Sequence, residues 1–287
     1  MVHVSRLLTV LAAQVRPVAF DPEGTFARFE EHVRTAVRAF PDVDLLVFPE
    51  LYLTGEDPFT GGPTDFQQRV AVEVPGSFTE RVGKVAARAE RWVVAGSVFE
   101  RADGHVYNTA LAFSPAGDLV ATYRKLFPWR PFETTEPDDR PPTVFEIPGR
   151  ARVGLMICYD GWFPEVARGL AFGGAELIVH PTLTTTPDRE QELVLARANA
   201  IANQLYVVNV NSATTVGGGR SIAVDPEGRP LFELGQGEEL AIETLDLDRV
   251  DVVRRGGTRG VTRAFQHVQQ APRPAFEAYR RFLADPR

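Results

Sequence analysis

Cys158 is the single cysteine among 287 residues, and it follows an apolar run over 152–157 and precedes Tyr159, Asp160 and Gly161. A side chain on a strand-to-helix turn projects from the end of a sheet, which suits a nucleophile. Glu50 closes the apolar run 43–48, and Lys125 follows the run 119–123 beside Arg124. In α/β sheets, sites gather at the carboxyl ends of strands. Taken alone, each residue has an ordinary explanation: a small buried thiol, a solvated loop acid, a surface lysine. Taken together, their types complement one another. The thiol is a nucleophile, the carboxylate a base, and the ammonium a partner for a developing oxyanion. That set suits cleavage of a carbon–nitrogen bond through a covalent thioester. None of the five histidines, His3, His32, His105, His180 and His267, is placed to serve as the base.

The elements that must position these residues can be read from periodicity. Residues 7–15 form an apolar run that predicts a first strand. Phe26, Phe29, Val33, Val37 and Phe40 recur at helical spacing and predict a helix over 23–40. A helix over 77–91 is expected, with Ser77 as its cap and Glu80 three residues on. Strands follow over 92–99, 106–113 and 119–123, the last two around the turn Ser114-Pro115-Ala116-Gly117-Asp118. Residues 125–142, rich in proline, tryptophan and acids, predict an irregular loop. Beyond it, strands are expected over 152–157, 176–180, 206–210, 221–224, 230–234 and 240–245, and helices over 163–172 and 188–202. The tail beyond 248 is basic and then weakly helical. Alternating strands and helices with hairpins predict an α/β class with mixed sheets.

Composition bounds the rest. The net charge of −7 argues against a protein that grips nucleic acid. No run of about 18 apolar residues predicts a membrane span, and 7–15 lacks a cleavage site for a signal peptide, so a cytoplasmic location is expected. One cysteine excludes disulfides and thiolate-rich metal sites, and no HExxH pair occurs. No metal and no cofactor are therefore expected. The glycines 217–219 read as a flexible loop without a phosphate-binding pattern.

Phe48-Pro49-Glu50, Tyr123-Arg124-Lys125 and Ile157-Cys158-Tyr159-Asp160 resemble, in order, spacing and context, the three catalytic signatures of the nitrilase, or carbon–nitrogen hydrolase, superfamily. The resemblance spans about 7–245. It implies a four-layer α-β-β-α sandwich with two mixed sheets over a domain 1–248, with 249–287 as an extension packing on the domain or on a partner subunit. Tyr159-Asp160 after the nucleophile is similar to the amide- and carbamoyl-cleaving branches, whereas true nitrilases carry Trp-Glu there. The stretch 124–133 is similar to the loop of aliphatic amidases and formamidases, which makes Glu133 their second glutamate, positioning substrate. Thr134-Thr135-Glu136-Pro137 departs from that branch, and Gly161-Trp162-Phe163-Pro164-Glu165 is closer to carbamoyl-polyamine hydrolases.

The resemblance implies a Glu50–Lys125–Cys158 triad, with the Tyr159 backbone N–H assisting Lys125 at the oxyanion. The substrate it implies is a small amide, with ammonia or an amine as the expected product. Trp129 and Trp162 are expected as pocket walls, and His180 as a structural histidine that faces substrate. Asp160 is expected to tie down the turn at Cys158. A homodimer or higher homo-oligomer is implied, with the helix over 188–202 at its interface. Hydrolysis of N-carbamoyl amides, acyl transfer to an amine, and a non-catalytic regulatory role stand as alternatives.

Overall fold

The computed structural model describes residues 5–56, 65–213, 218–270 and 277. Gly217 and most of the expected C-terminal helical tail lie outside them. The elements run β1 (Leu7–Gln14), α1 (Pro22–Ala39), β2 (Leu45–Val47), α2 (Phe66–Val70), α3 (Ser77–Ala89), β3 (Trp92–Ala102), β4 (His105–Phe113) and β5 (Leu119–Arg124). Then come β6 (Val144–Ile147), β7 (Ala151–Leu155), α4 (Pro164–Phe172), β8 (Leu177–Thr182), α5 (Arg189–Asn203), β9 (Tyr206–Asn211), β10 (Ile222–Val224), β11 (Pro230–Glu233), β12 (Glu239–Asp246), α6 (Asp248–Gly256) and α7 (Ala264–Gln269).

Two six-stranded sheets result, in the orders β12-β1-β2-β3-β4-β5 and β11-β10-β9-β8-β7-β6. Both are mixed: β1, β2 and β3 run parallel, as do β7, β8 and β9, and the outer pairings are antiparallel. Side chains alternate across a strand, so each central strand feeds two cores. Leu8, Val10 and Ala12 of β1 join Leu177 and Val179 of β8 in the core between the sheets. Leu11 and Ala13 turn the other way, onto Phe29 and Val33 of α1 and Val82 and Val85 of α3. On the far sheet Ile178 packs with Leu170 of α4 and Leu193 and Ala196 of α5. The result is the α-β-β-α sandwich with two mixed sheets that the resemblance implied. A one-residue slip in β1 would exchange its two faces, so both cores fix the register.

Three local expectations change. Ser77 is the first residue of α3 and not its cap: Gly76 holds that place, and the Thr79 hydroxyl accepts from the Gly76 N–H. Strand β6 was hidden, since its four residues lie between Pro142 and Pro148. Helix α6 looked like a charged tail, yet Val250 and Val253 are buried. Arg6 of the N-terminal segment binds Asp248 and Glu176, and the Arg254 guanidinium donates to the Ala175 carbonyl at 2.8 Å. Helix α6 thus packs on the sandwich. No described helix is long and apolar enough to cross a membrane.

Candidate active site

Glu50 is set by the chain leaving β2. The Phe48 N–H donates to the Val94 carbonyl (2.9 Å), and the Leu51 N–H to Ser97 Oγ (3.0 Å). β3 carries an irregularity between Val94 and Ser97, where Gly96 has φ +71°. A Cβ on Gly96 would stand 1.8 Å from the Pro49 carbonyl oxygen. The bulge and its glycine are what let the Glu50 turn approach.

Lys125 follows β5, and its N–H donates to the Asn108 carbonyl at 2.8 Å. Arg124 clamps the strand end through two bonds to Glu100 (2.8 and 2.6 Å) and lies over the Tyr107 ring. Lys125 Nζ donates to Glu50 Oε1 (2.9 Å) and Glu133 Oε2 (2.7 Å), and all three side chains are buried or nearly so. Asn108 Nδ2 bridges the same two acids, donating to Glu50 Oε1 (2.8 Å) and Glu133 Oε1 (3.1 Å). Glu133 also accepts from the Trp129 N–H (2.9 Å) and the Thr135 hydroxyl (3.0 Å).

The charges follow from these contacts. Burial works against the Lys125 ammonium, but Glu50, Cys158 and Glu133 outweigh it and hold its pKa well above the ordinary lysine value. Burial pushes Glu133 upward, yet Lys125 and the N–H donors leave it below the usual carboxylate range. Burial pushes the Cys158 thiol well up, Glu50 and Glu192 add to that, and Lys125 opposes it.

Cys158 begins a short 3-10 turn, Cys158–Trp162, in the left-handed region at φ +42°. Such a backbone is sparsely populated for a side-chain-bearing residue and persists where its surroundings dictate it. Asp160 provides that frame from beneath. It accepts from the Tyr123 hydroxyl (2.7 Å), the Phe127 N–H (2.9 Å) and the Ile157 N–H (3.1 Å). Burial raises its pKa to about 7, opposed by the Lys125 charge and by these donors.

His180 provides the frame from behind. Expected to face substrate, it lies instead under the turn and does not line the cleft described below. Asn209 Nδ2 donates to His180 Nδ1 (2.9 Å), so His180 Nε2–H donates to the Cys158 carbonyl (2.8 Å). Burial lowers its pKa to about 3, which keeps this neutral tautomer. Gly161 leaves room for the ring: a Cβ there would meet His180 Cε1 at 2.6 Å.

A further group on this side was not anticipated. Thr184 Oγ1 lies 3.7 Å from Cys158 Sγ and donates to Glu192 Oε1 at 3.1 Å. Glu192 is paired with Arg189, whose other nitrogen donates to Asn209 Oδ1 and the Arg220 carbonyl (2.7 Å each). Burial raises the Glu192 pKa, and Arg189 is its main opponent. In sequence these are charged residues of a helix that reads as solvated. The signal left unread was the apolar spacing around them, Leu193 and Ala196, which puts Arg189 and Glu192 on the buried face.

Glu50, Lys125, Glu133, Cys158, Tyr159, Trp129 and Trp162 all line one cleft of about 510 Å³. Phe132, packed against Trp129 at 4.4 Å, stands at its exposed edge. Tyr159 packs edge-on against Phe163. The sequence-predicted residues therefore converge, His180 excepted; Thr184 and Glu192 join them in the lining, and Asn108 supports Glu50 and Glu133 from behind it. The described residues hold no group of three or more His, Cys, Asp or Glu arranged for a metal ion.

A sequence profile of the carbon-nitrogen hydrolase family matches residues 9–255. An (R)-stereoselective amidase of Pseudomonas sp is 38% identical over 221 residues, covering 75% of this chain and 77% of that one. A formamidase of Bacillus thuringiensis (strain Al Hakam) is 30% identical over 214 residues, 73% of this chain, and the match spans 63% of the formamidase. Among solved structures, Saccharomyces cerevisiae Nit3, a member of branch 10 of the nitrilase superfamily, superposes with a TM-score of 0.78 at 26% identity, covering 88% of this chain and 94% of that one. A cysteine-to-alanine variant of the Nesterenkonia sp. AN1 amidase, in complex with butyramide, superposes with a TM-score of 0.75 at 25% identity, covering 90% and 97%.

Proposed function

Starting from the chain's membership of the carbon–nitrogen hydrolase family, as an amidohydrolase acting on carbon–nitrogen bonds, we propose that it hydrolyses small linear amides through a thioester on Cys158. The observation that carries this reading is the convergence of Glu50, Lys125 and Cys158 in one cleft. Glu50 Oε1 already accepts from Lys125 and Asn108. Its Oε2 is the oxygen for the thiol proton. As that proton leaves, sulfur bonds to the carbonyl carbon and the carbonyl π pair moves onto oxygen. Lys125 and the Tyr159 N–H stabilise the oxyanion, an interaction whose loss typically slows such reactions roughly 10²–10³-fold. Protonated Glu50 passes its proton to the leaving nitrogen as the C–N bond breaks. Water, deprotonated by Glu50, attacks the thioester and returns the thiol. Glu133, fixed by four donors, orients the amide nitrogen and the water.

The cleft also bears on the acyl group. Among its described lining residues Lys125 is the single cation, while Glu56, Asp188 and Glu192 add acids to an aromatic wall. Uncharged or cationic acyl groups fit that balance, and carboxylate-bearing ones do not. A second reading, an N-carbamoyl amide hydrolase, draws on the Gly161–Glu165 stretch; carbon dioxide released with ammonia during turnover would mark it. Homodimerisation belongs to the proposal, since α5 leaves Val194 and Ile201 exposed. So does a cytoplasmic setting, where a free thiol is kept reduced.

The test is a panel of small amides with ammonia detection and whole-protein mass measurement. An acyl adduct on Cys158 and no turnover in Cys158→Ala are expected. Retained turnover in Cys158→Ala would end the covalent mechanism.

A further inference from the structure

Glu192 has no part in the steps above, yet it is a buried carboxylate in the wall of the same cleft, one hydroxyl away from the sulfur. A threonine hydroxyl has one proton and two lone pairs, and a carboxylate only accepts. Glu192 is ion-paired with Arg189, and Thr184 lies within hydrogen-bond reach of both Glu192 (3.1 Å) and Cys158 Sγ (3.7 Å). The Thr184 proton is therefore committed to Glu192. What Thr184 turns toward the sulfur is a lone pair.

We propose that Glu192 is a positioning residue that acts on Cys158 through Thr184, making the Thr184 oxygen an acceptor for the thiol proton and so holding the resting nucleophile protonated and fixed in the cleft. The device restrains the thiol and does not activate it. With the cleft empty of substrate, the S–H bond points at Thr184. Rotation about Cβ–Sγ brings the proton to Glu50, which takes it. The electron pair stays on sulfur and forms the S–C bond as the carbonyl π pair moves to oxygen. A thiolate facing the Thr184 lone pair is repelled, so negative sulfur is favoured only where a carbonyl carbon is present to receive it.

The charged and titratable groups around the sulfur are Glu50 after β2, Glu56 farther along the cleft, Lys125 and Glu133 after β5, Tyr159 and Asp160 of the Cys158 turn, and Asp188 and Glu192 at the start of α5 with Arg189 paired to Glu192, with the neutral His180 of β8 behind the Cys158 carbonyl. Of these, Glu192 is the acid that reaches the sulfur through a hydroxyl.

The test follows iodoacetamide alkylation of Cys158 against pH by whole-protein mass, in wild type, Glu192→Gln, Thr184→Val and Thr184→Ser. One cysteine makes the adduct unambiguous. Glu192→Gln and Thr184→Val are expected to lower the alkylation midpoint by about one pH unit, which makes alkylation at neutral pH about tenfold faster. Thr184→Ser, which keeps the hydroxyl, is expected to retain the wild-type profile. An unshifted Glu192→Gln profile overturns the proposal. So does an unshifted Thr184→Val profile beside a shifted Glu192→Gln one, since charge alone would then be acting. Should Glu192→Gln fail to fold, with Arg189 left unpaired, Thr184→Val decides alone. The inference rests on Cys158 as the nucleophile, but alkylation reads the thiol itself, so its failure is distinct from a lack of amide turnover.

Discussion

Asn108 illustrates what one side chain contributes here. It gives a single amide nitrogen to both carboxylates that share Lys125. Asn108→Leu keeps the bulk and removes both bonds. Hydrogen bonds to charged groups are worth about 1.5–3 kcal/mol, and about 1.4 kcal/mol is a factor of ten in rate. A fall of roughly 10–100-fold in kcat, with a smaller change in KM, is expected from steady-state kinetics. His180 is a second case. Its pKa is lowered from 6.5 to about 3, so the stability linked to its neutral form is complete above about pH 6.5 and drains as pH falls toward 3. Urea midpoints measured from pH 7 to 4 should decline, and NMR should find this imidazole neutral at pH 5. Glu50, Lys125 and Cys158 were legible in the sequence because each ends an apolar run. Asn108 was not, because one polar residue inside a strand reads as an outward-facing position.

At the scale of elements, the site depends on irregularities more than on regular structure. Gly96 breaks the pairing of β3 so that the Glu50 turn can close over it. Gly96→Ala would set a Cβ against the Pro49 carbonyl. We expect at least a tenfold loss of kcat together with about 1–3 kcal/mol of stability, the usual range for strain at a crowded core position. Denaturant unfolding beside kinetics checks this, and wild-type behaviour in both would remove Gly96 from the argument. A glycine inside an apolar strand is a recognised bulge signal, so this feature was readable in principle. Continuous apolar runs, the mark of strands buried on both faces, exposed the central strands, and period-3.6 spacing exposed α1. The same rules passed over α6 and the buried face of α5, where charged residues outnumber the apolar ones that anchor them.

The whole molecule is two sheets back to back, with the turns after β2, β5 and β7 meeting at one cleft. Its charge gives a test of selectivity. Propionamide should be turned over at least tenfold faster, in kcat/KM, than an amide of similar size bearing a carboxylate; equal rates would contradict the acidic lining as a determinant. Sedimentation at micromolar concentration is expected to show a homodimer, and Val194→Glu in α5 should shift it toward monomer. A monomeric wild type would remove α5 from any interface. The α/β class was legible at this scale from the alternation of strands and helices, and the four layers only through the family resemblance. The cleft's outer acids were not, because nothing in their spacing announces which residues share a wall.

Arg189 is one guanidinium with two clients. One arm meets Glu192, which steadies the hydroxyl at the sulfur, and the other meets Asn209, which sets the imidazole at the Cys158 carbonyl. The Cys158 sulfur and the main chain that carries it therefore share a common anchor. An engineer reshaping one flank of this enzyme would disturb the opposite flank without touching it. Replacing Arg189 by lysine, a point charge without the planar fork, would leave the two flanks to drift independently.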